Sequence, residues 1–130
     1  MPSGTQDWSG PAVPATVALL RNALAEFAAA EGLSGLGLAD LRICVSEAVT
    51  NAVVHAYRDG RARGTVSISA EHQAGELLVT VHDDGMGFSP RADSPGGGRG
   101  LAVIVALSST LSIDTSPGRG TALSMAFPMR

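Results

Sequence analysis

A chain of 130 residues, 45% of them hydrophobic, is long enough to bury the core of one domain and short for two. Its formal net charge of −3 gives no electrostatic reason to expect nucleic acid or an anionic membrane surface as a partner. All nine basic residues are arginine. Without lysine the chain cannot carry a Walker A loop or the strand lysine of a eukaryotic-type protein kinase, so both of those phosphate-binding devices are excluded.

Targeting signals and cysteine content predict a cytoplasmic protein. Residues 1–13 are polar and interrupted by prolines, and the apolar run at 101–107 is too short to cross a bilayer, so we expect neither a leader nor a membrane span. The single cysteine, Cys44, excludes an intrachain disulfide. Its place in an amphipathic segment favours a small buried thiol over a reactive one.

Two helices are predicted in the first half of the chain. Residues 1–13 are expected to form a loose arm or a weak edge strand, followed by one domain over residues 14–130. A helix is predicted over residues 14–31, because apolar residues recur at helical spacing: Val17, Leu20, Leu24 and Phe27. A second helix, from about residue 38 to just before Asp59, has the same pattern: Leu41, Val45, Ala48, Val49 and Ala52.

Beyond residue 64 the hydrophobic period changes to two-residue alternation, which predicts strands. Residues 66–69 and 77–82 alternate on either side of a short turn, as in an antiparallel hairpin. An apolar helix is predicted over residues 101–108, and residues 111–115 and 121–127 predict a second hairpin. Grouped strands with helices outside them predict an α+β two-layer sandwich, with helices on one face of a largely antiparallel mixed sheet.

Three polar residues follow one line along the second helix. Glu47, Asn51 and His55 are spaced four apart, so each advances about 6 Å along the axis and turns about 40° around it. A carboxylate, an amide and an imidazole in a row would suit a site for a metal and phosphates. The alternative is a polar helix edge in contact with water.

A second polar pattern, D-x-G-x-G, begins at Asp83, where a predicted strand ends. A carboxylate there can accept a hydrogen bond from an exocyclic amine, while Gly85 and Gly87 let a flat ring approach the backbone. Adenine offers such an amine, whereas guanine presents a carbonyl that would be repelled. The alternative is a strand that ends in an ordinary Asp-Gly turn.

Glycines also precede the third predicted helix and the last strand. The segment Gly98-Arg99-Gly100-Leu101 would leave backbone N–H groups free to point at phosphate oxygens, with Arg99 adding a positive charge. A flexible linker is the alternative. Thr121, which follows Gly120 in a predicted hairpin turn, could place a hydroxyl near a ligand.

In their order along the chain, these patterns resemble the GHKL ATP-binding (Bergerat-type) fold of histidine kinases, gyrase-type ATPases and chaperones. The patterns are E-x-x-x-N on a helix, D-x-G-x-G after a strand, G-x-G-L at a helix start and G-x-G-T in a hairpin. Within that superfamily, the segment SEAVTNAVVHAY and the small size of the chain most resemble the bacterial anti-sigma factor serine-protein kinases.

The resemblance implies roles for the matching residues. Asn51 would coordinate a Mg²⁺ ion that bridges the ATP phosphates, Asp83 would hold the adenine amine, and Glu47 would deprotonate a serine hydroxyl of a protein substrate. A short lid over residues 89–97 would cover the nucleotide. The other positions implied to bind it are His55, Gly85, Gly87, Gly98, Arg99, Gly100, Leu101 and Thr121.

The implied function is that of a Mg-ATP-dependent serine kinase and anti-sigma factor. It would phosphorylate a small anti-anti-sigma antagonist and sequester a sigma factor. The first strand of these kinases is often tied to dimerisation, and residues 1–13 match it poorly, so the sequence leaves a homodimer open. Two alternatives stay open: an ATP-binding switch without kinase activity, since only Glu47 serves chemistry, and a detached histidine-kinase catalytic domain.

Overall fold

The computed structural model describes residues 5–56, 64–83, 97–116 and 120–129, which form five strands and three helices. The helices are α1 (Pro14–Ala30), α2 (Gly35–Ala56) and α3 (Gly97–Leu107). The strands are β1 (Thr5–Pro11), β2 (Thr65–Gln73), β3 (Glu76–Asp83), β4 (Thr110–Ser116) and β5 (Gly120–Pro128). This composition confirms the predicted α+β class.

The five strands form one sheet in the order β1-β2-β3-β5-β4. All four pairings are antiparallel, which agrees with the largely antiparallel sheet that was predicted. Within the described residues the sheet has no parallel pair, so it is not a mixed sheet. Both predicted hairpins are present, β2 with β3 and β4 with β5. Ala74 and Gly75 connect the first hairpin with φ values of 52° and 78°, the backbone that a two-residue type I′ turn requires.

Alternation along the strands separates an apolar face from a polar one. The face beneath the helices is built from buried side chains: Val66, Ile68 and Ala70 of β2, Leu77, Val79 and Val81 of β3, and Leu123, Met125 and Phe127 of β5. The opposite face carries small polar groups such as Thr80 and Ser124, whose hydroxyl oxygens lie 3.0 Å apart. The core therefore lies between one sheet face and the helices.

Helix α2 lies in the middle of the helical layer. It packs against α1 on one side and α3 on the other, and it also contacts β2, β3 and β5. Its buried residues form one continuous stripe: Leu41, Cys44, Val45, Ala48, Val49, Ala52 and Val53. Asn51 is buried beside this stripe, on the side of α2 that faces the central strands.

The N-terminal segment forms an edge strand that is fixed to α1. Residues Thr5–Pro11 pair antiparallel with β2, and Trp8 makes an edge-to-face contact with Phe27 at a ring-centroid distance of 5.7 Å. The hydroxyl of Thr16, in the first turn of α1, donates a hydrogen bond to the carbonyl of Pro11. At the other end of α1, Glu31 lies 2.8 Å from His72 of β2.

Two helices begin earlier than the sequence predicts. Helix α2 starts at Gly35 instead of about residue 38, and the φ of 58° at Gly35 is one that glycine adopts without strain. Helix α3 starts at Gly97 instead of residue 101, so the glycines expected before the helix form its first turn. The low helix propensity of glycine hid both starts. No helix in the described ranges is long and apolar enough to cross a membrane.

We expect Leu24→Ala to lower the free energy of unfolding by about 2–5 kcal/mol, because it leaves a cavity in the core beneath α1. Leu24 is 0% exposed. Leu19→Ala in the same helix is the matched control, since Leu19 is 68% exposed and its loss should change the free energy by about 0.5 kcal/mol or less. Urea unfolding measures both variants, and equal losses would contradict this packing of α1.

Candidate functional site

Three polar residues predicted from separate parts of the sequence meet in one cavity. Asn51 of α2, Asp83 of β3 and Thr121 of β5 line a small cavity of about 10 Å³ between the helix and the sheet. All three are buried, at 8%, 7% and 3% exposure respectively. The joining of residues so distant in the sequence shows that the cavity is built by the tertiary fold.

Strand alternation explains why Asp83 and Thr121 face the helices. Asp83 continues the buried row of β3, and Thr121 begins the buried row of β5. The two residues are also direct partners in the antiparallel register. Directly opposed residues have Cβ atoms about 5 Å apart, so a carboxylate and a hydroxyl stand side by side on the cavity wall.

Asn51 supplies a polar group from the helical side of the cavity. Its Nδ2 atom is buried and has no hydrogen-bond partner among the residues that the structure describes. A buried amide without a partner costs about 1–3 kcal/mol of folding free energy. Such a group in a cavity is the expected signature of a site where a ligand supplies the partner.

The apolar walls of the cavity were not identified from the sequence as part of a site. They consist of Ala48 and Ala52 on α2, with Val81 and Leu123 on the sheet. The sequence assigned the alanines to the helix core, which is also correct. A signal was present, because Val81 lies two residues from Asp83 and Leu123 two residues from Thr121, and side chains two apart in a strand share one face.

Glu47 lies one helical turn from Asn51 but borders a different cavity. That second space, about 300 Å³ and open to solvent, lies between α1 and α2 and is lined by Arg21, Arg42, Ile43, Ser46 and Glu47. Arg21 and Arg42 each donate to the side-chain oxygen of Asn22, at 3.3 Å. The predicted line of polar residues therefore joins two neighbouring spaces, with the carboxylate in one and the amide in the other.

Helix α3 begins at Gly97, so its first turn contains Gly98, Arg99 and Gly100, and Leu101 follows them. The first four N–H groups of a helix have no partner within it, so these backbone donors remain suited to an anion although they lie within the helix. The side chains of Arg99, Leu101 and His55 fall outside what the structure describes. So do Gly85, Gly87 and the segment predicted to be a lid, apart from its last residue.

Cys44 on α2 is fully buried and is not part of either cavity. Burial raises the pKa of its thiol to about 11, and the nearby charges of Asp40 and Glu47 add to the effect. The thiol therefore stays protonated near neutral pH. The preference for an unreactive structural cysteine agrees with this environment.

Comparison with known proteins agrees with this architecture. Residues 10–127 match the family described as histidine kinase-like ATPase domain, and the chain belongs to that family. The chain is similar to proteins named anti-sigma F factor. The protein of that name from Thermoanaerobacter sp. (strain X514) is 29% identical over 116 residues, covering 81% of this chain and 80% of the relative. The corresponding protein from Caldanaerobacter subterraneus subsp. tengcongensis is 30% identical over 116 residues, with the same coverage.

A solved structure has the same fold over almost all of this chain. It contains the RsbU and RsbW domains of Rv1364c from Mycobacterium tuberculosis, and it superposes with a TM-score of 0.75 at 26% sequence identity. The match covers 97% of this chain and 32% of the other, so this chain spans about one third of that protein. The predicted resemblance to the GHKL superfamily, and to its anti-sigma factor branch, is confirmed by these matches.

We expect Cys44 in the folded protein to react with iodoacetamide at pH 8 at least about a hundredfold more slowly than in urea. Its pKa is raised from 9.0 to about 11, so the thiolate fraction falls by about that factor, and burial slows the reaction further. Rates can be measured by mass spectrometry, with Cys44→Ser as the unlabelled control. Similar rates with and without urea would contradict the buried position.

The same shift predicts the sign of a pH effect on stability. The unfolded thiol ionises near pH 9, while the folded thiol holds its proton until about pH 11. Between these values the folded state binds more protons, so this group makes the free energy of unfolding decrease as the pH rises. The decrease should be absent in Cys44→Ser.

Proposed function

We propose that this protein is a Mg-ATP-dependent serine kinase and anti-sigma factor. It would phosphorylate a small anti-anti-sigma protein in the cytoplasm and bind a sigma factor. The observation that carries the proposal is the buried Nδ2 atom of Asn51, which has no hydrogen-bond partner among the described residues and lies in the same cavity as Asp83. The similarity to proteins named anti-sigma F factor supports the choice of partners.

The cavity is suited to an adenine base. The carboxylate of Asp83 can accept a hydrogen bond from the exocyclic amine, and Thr121 stands beside it with a hydroxyl. Opposite them, Ala48 and Ala52 present only small apolar side chains, which would face the flat ring. A guanine carbonyl at the same place would face the carboxylate, so the site favours ATP over GTP.

Asn51 and the first turn of α3 would hold the phosphates. The amide oxygen of Asn51 is a hard ligand of the kind that Mg²⁺ prefers, and Mg²⁺ commonly takes one or two protein oxygens together with substrate phosphates. The backbone N–H groups of Gly98, Arg99 and Gly100 would donate to phosphate oxygens. Bound Mg²⁺ would neutralise the charge that develops on the transferred phosphoryl group.

Glu47 would act as the base. A serine hydroxyl in the cavity between α1 and α2 would give its proton to the Glu47 carboxylate. The serine oxygen would form a bond to the γ-phosphorus as the bond to ADP breaks. The structure supports this role by placing Glu47 on an open, solvent-accessible surface one helical turn from Asn51. A protein substrate can reach that surface, whereas it could not enter the buried cavity.

A second candidate function is an ATP-dependent protein switch without phosphoryl transfer. The separation of Glu47 from the cavity of Asn51 favours it, because every residue in that cavity serves binding. In this case the nucleotide would change only the affinity for a partner. Labelled ATP separates the possibilities: acid-stable label on a serine supports the kinase, no label supports the switch, and acid-labile label supports a histidine-kinase catalytic domain.

We expect Glu47→Gln to bind ATP as the wild type does and to lose phosphoryl transfer by about 10²- to 10⁴-fold, because the isosteric amide cannot accept the proton. The assay uses γ-labelled ATP and a small anti-anti-sigma protein from the same organism. Glu71→Gln on the exposed part of β2 is the charge-matched control and should keep full activity. Normal transfer by Glu47→Gln would overturn its assignment as the base.

We expect Asn51→Ala to abolish Mg-ATP binding while leaving stability within about 1 kcal/mol of the wild type. The substitution removes an amide that costs folding energy when unpaired, which offsets the lost packing. Val49→Ala in the same helix removes two buried methyl groups and should cost about 1.5 kcal/mol without loss of binding.

Calorimetric titration with ATP and Mg²⁺, together with urea unfolding, gives both quantities for each variant. Unchanged ATP affinity in Asn51→Ala would contradict the nucleotide site. Strong destabilisation of Asn51→Ala would instead give Asn51 a structural role.

A further inference from the structure

The sheet wall of the nucleotide cavity consists of two stacked cross-strand pairs. Asp83 and Thr121 form the polar pair, and Val81 and Leu123 form an apolar pair directly beneath it in the register. Two residues along a strand correspond to about 7 Å, so the apolar pair forms the inner end of the cavity. A ligand that contacts Asp83 must therefore stop at these two side chains.

The layer below this apolar pair cannot yield. Val79 and Met125 are the next partners in the register, and they are 0% and 1% exposed. Protein interiors are close-packed, so an enlarged ligand cannot be accommodated there by a small shift of the core. The inner end of the cavity is therefore closed by buried, close-packed side chains.

The opposite wall of the cavity, on α2, fixes the plane of the ligand. The sheet residues limit how deeply the ligand can enter. Ala48 and Ala52 lie one turn apart on α2 and present only methyl groups to the cavity. The two alanines limit the width of the cavity, but their short side chains do not extend far across it. Leu123 has the largest side chain of the four apolar lining residues, and it lies at the inner end of the cavity.

We propose that the Val81–Leu123 pair restricts this protein to nucleotides whose exocyclic amine carries no substituent. This inference rests on the proposed function, because it places the amine of adenine at Asp83. An amine that donates one hydrogen to Asp83 directs its second substituent position toward the apolar pair. Hydrogen fits there, and an alkyl group collides with Leu123.

The test compares ATP with N6-isopropyl-ATP, since the isopropyl group adds three carbons and Leu123→Ala removes three. Affinities are measured by calorimetric titration with Mg²⁺ present. The wild type should bind N6-isopropyl-ATP at least about tenfold more weakly than ATP, the usual scale of exclusion by a well-packed pocket. In Leu123→Ala the difference should fall below about threefold.

The control is Leu77→Ala, an identical truncation at the far end of β3. Leu77 is fully buried and pairs with Phe127, six residues along the strand from Asp83. It should discriminate between the two nucleotides as strongly as the wild type does. If Leu77→Ala bound N6-isopropyl-ATP as well as Leu123→Ala does, the gain in affinity would come from general loosening of the core. The proposed role of Leu123 would then be wrong.

Failure of this inference differs from failure of the proposed function. If the wild type binds both nucleotides equally, or if Leu123→Ala still rejects N6-isopropyl-ATP, the inference is wrong and the ATP site stands. If the wild type binds neither nucleotide, the proposed function is wrong and the inference falls with it. Should Leu123→Ala fail to fold, Val81→Ala with N6-methyl-ATP makes the same test with a smaller truncation, and persistent rejection overturns the inference.

Discussion

The packing of one helix against the middle of the sheet determines the rest of this structure. Helix α2 buries its apolar stripe on β2, β3 and β5, and this contact brings Asn51 over the ends of two adjacent strands. The hydrophobic effect supplies the driving force, while the register of β3 with β5 decides which polar groups meet the amide. The site is thus a product of core packing and not of a separate binding loop.

Burying the polar groups of the site costs folding free energy, and burial of the apolar core offsets this cost. Asn51 has an amide nitrogen without a partner among the described residues, and Asp83 is an almost wholly buried carboxylate. Each interrupts a row that is otherwise made of Val, Leu, Ile and Ala. Both lie at the edge of the core, near the ends of α2 and β3, which limits the cost to stability and keeps both groups beside the cavity.

Periodicity was sufficient to predict most elements of the fold, because each helix and strand has its own apolar pattern. The exceptions have a common cause. Gly35 and Gly97 begin helices, and glycine carries no signal of helix formation, so both starts were placed too late. The antiparallel pairing of β3 with β5 depends on contacts between distant residues, which local patterns cannot specify.

The candidate site was predictable in its polar residues and not in its shape. Asn51, Asp83 and Thr121 belong to patterns that can be recognised in the sequence, and the fold brings them together. Val81 and Leu123 are indistinguishable from core residues until the strand order is known. Glu47 and Asn51 were predicted as one line, and only packing against α1 shows that they border two different spaces.

The strand order also constrains how the protein can be made. Strand β5 follows β4 in the chain, yet it lies between β3 and β4 in the sheet. A nascent chain still lacking β5 would expose the hydrogen-bonding edge of β3, the kind of edge that invites wrong pairing. Because Thr121 and Leu123 belong to β5, the cavity cannot form until β5 has been synthesised. The ability to recognise a ligand is therefore acquired only after all five strands have been made.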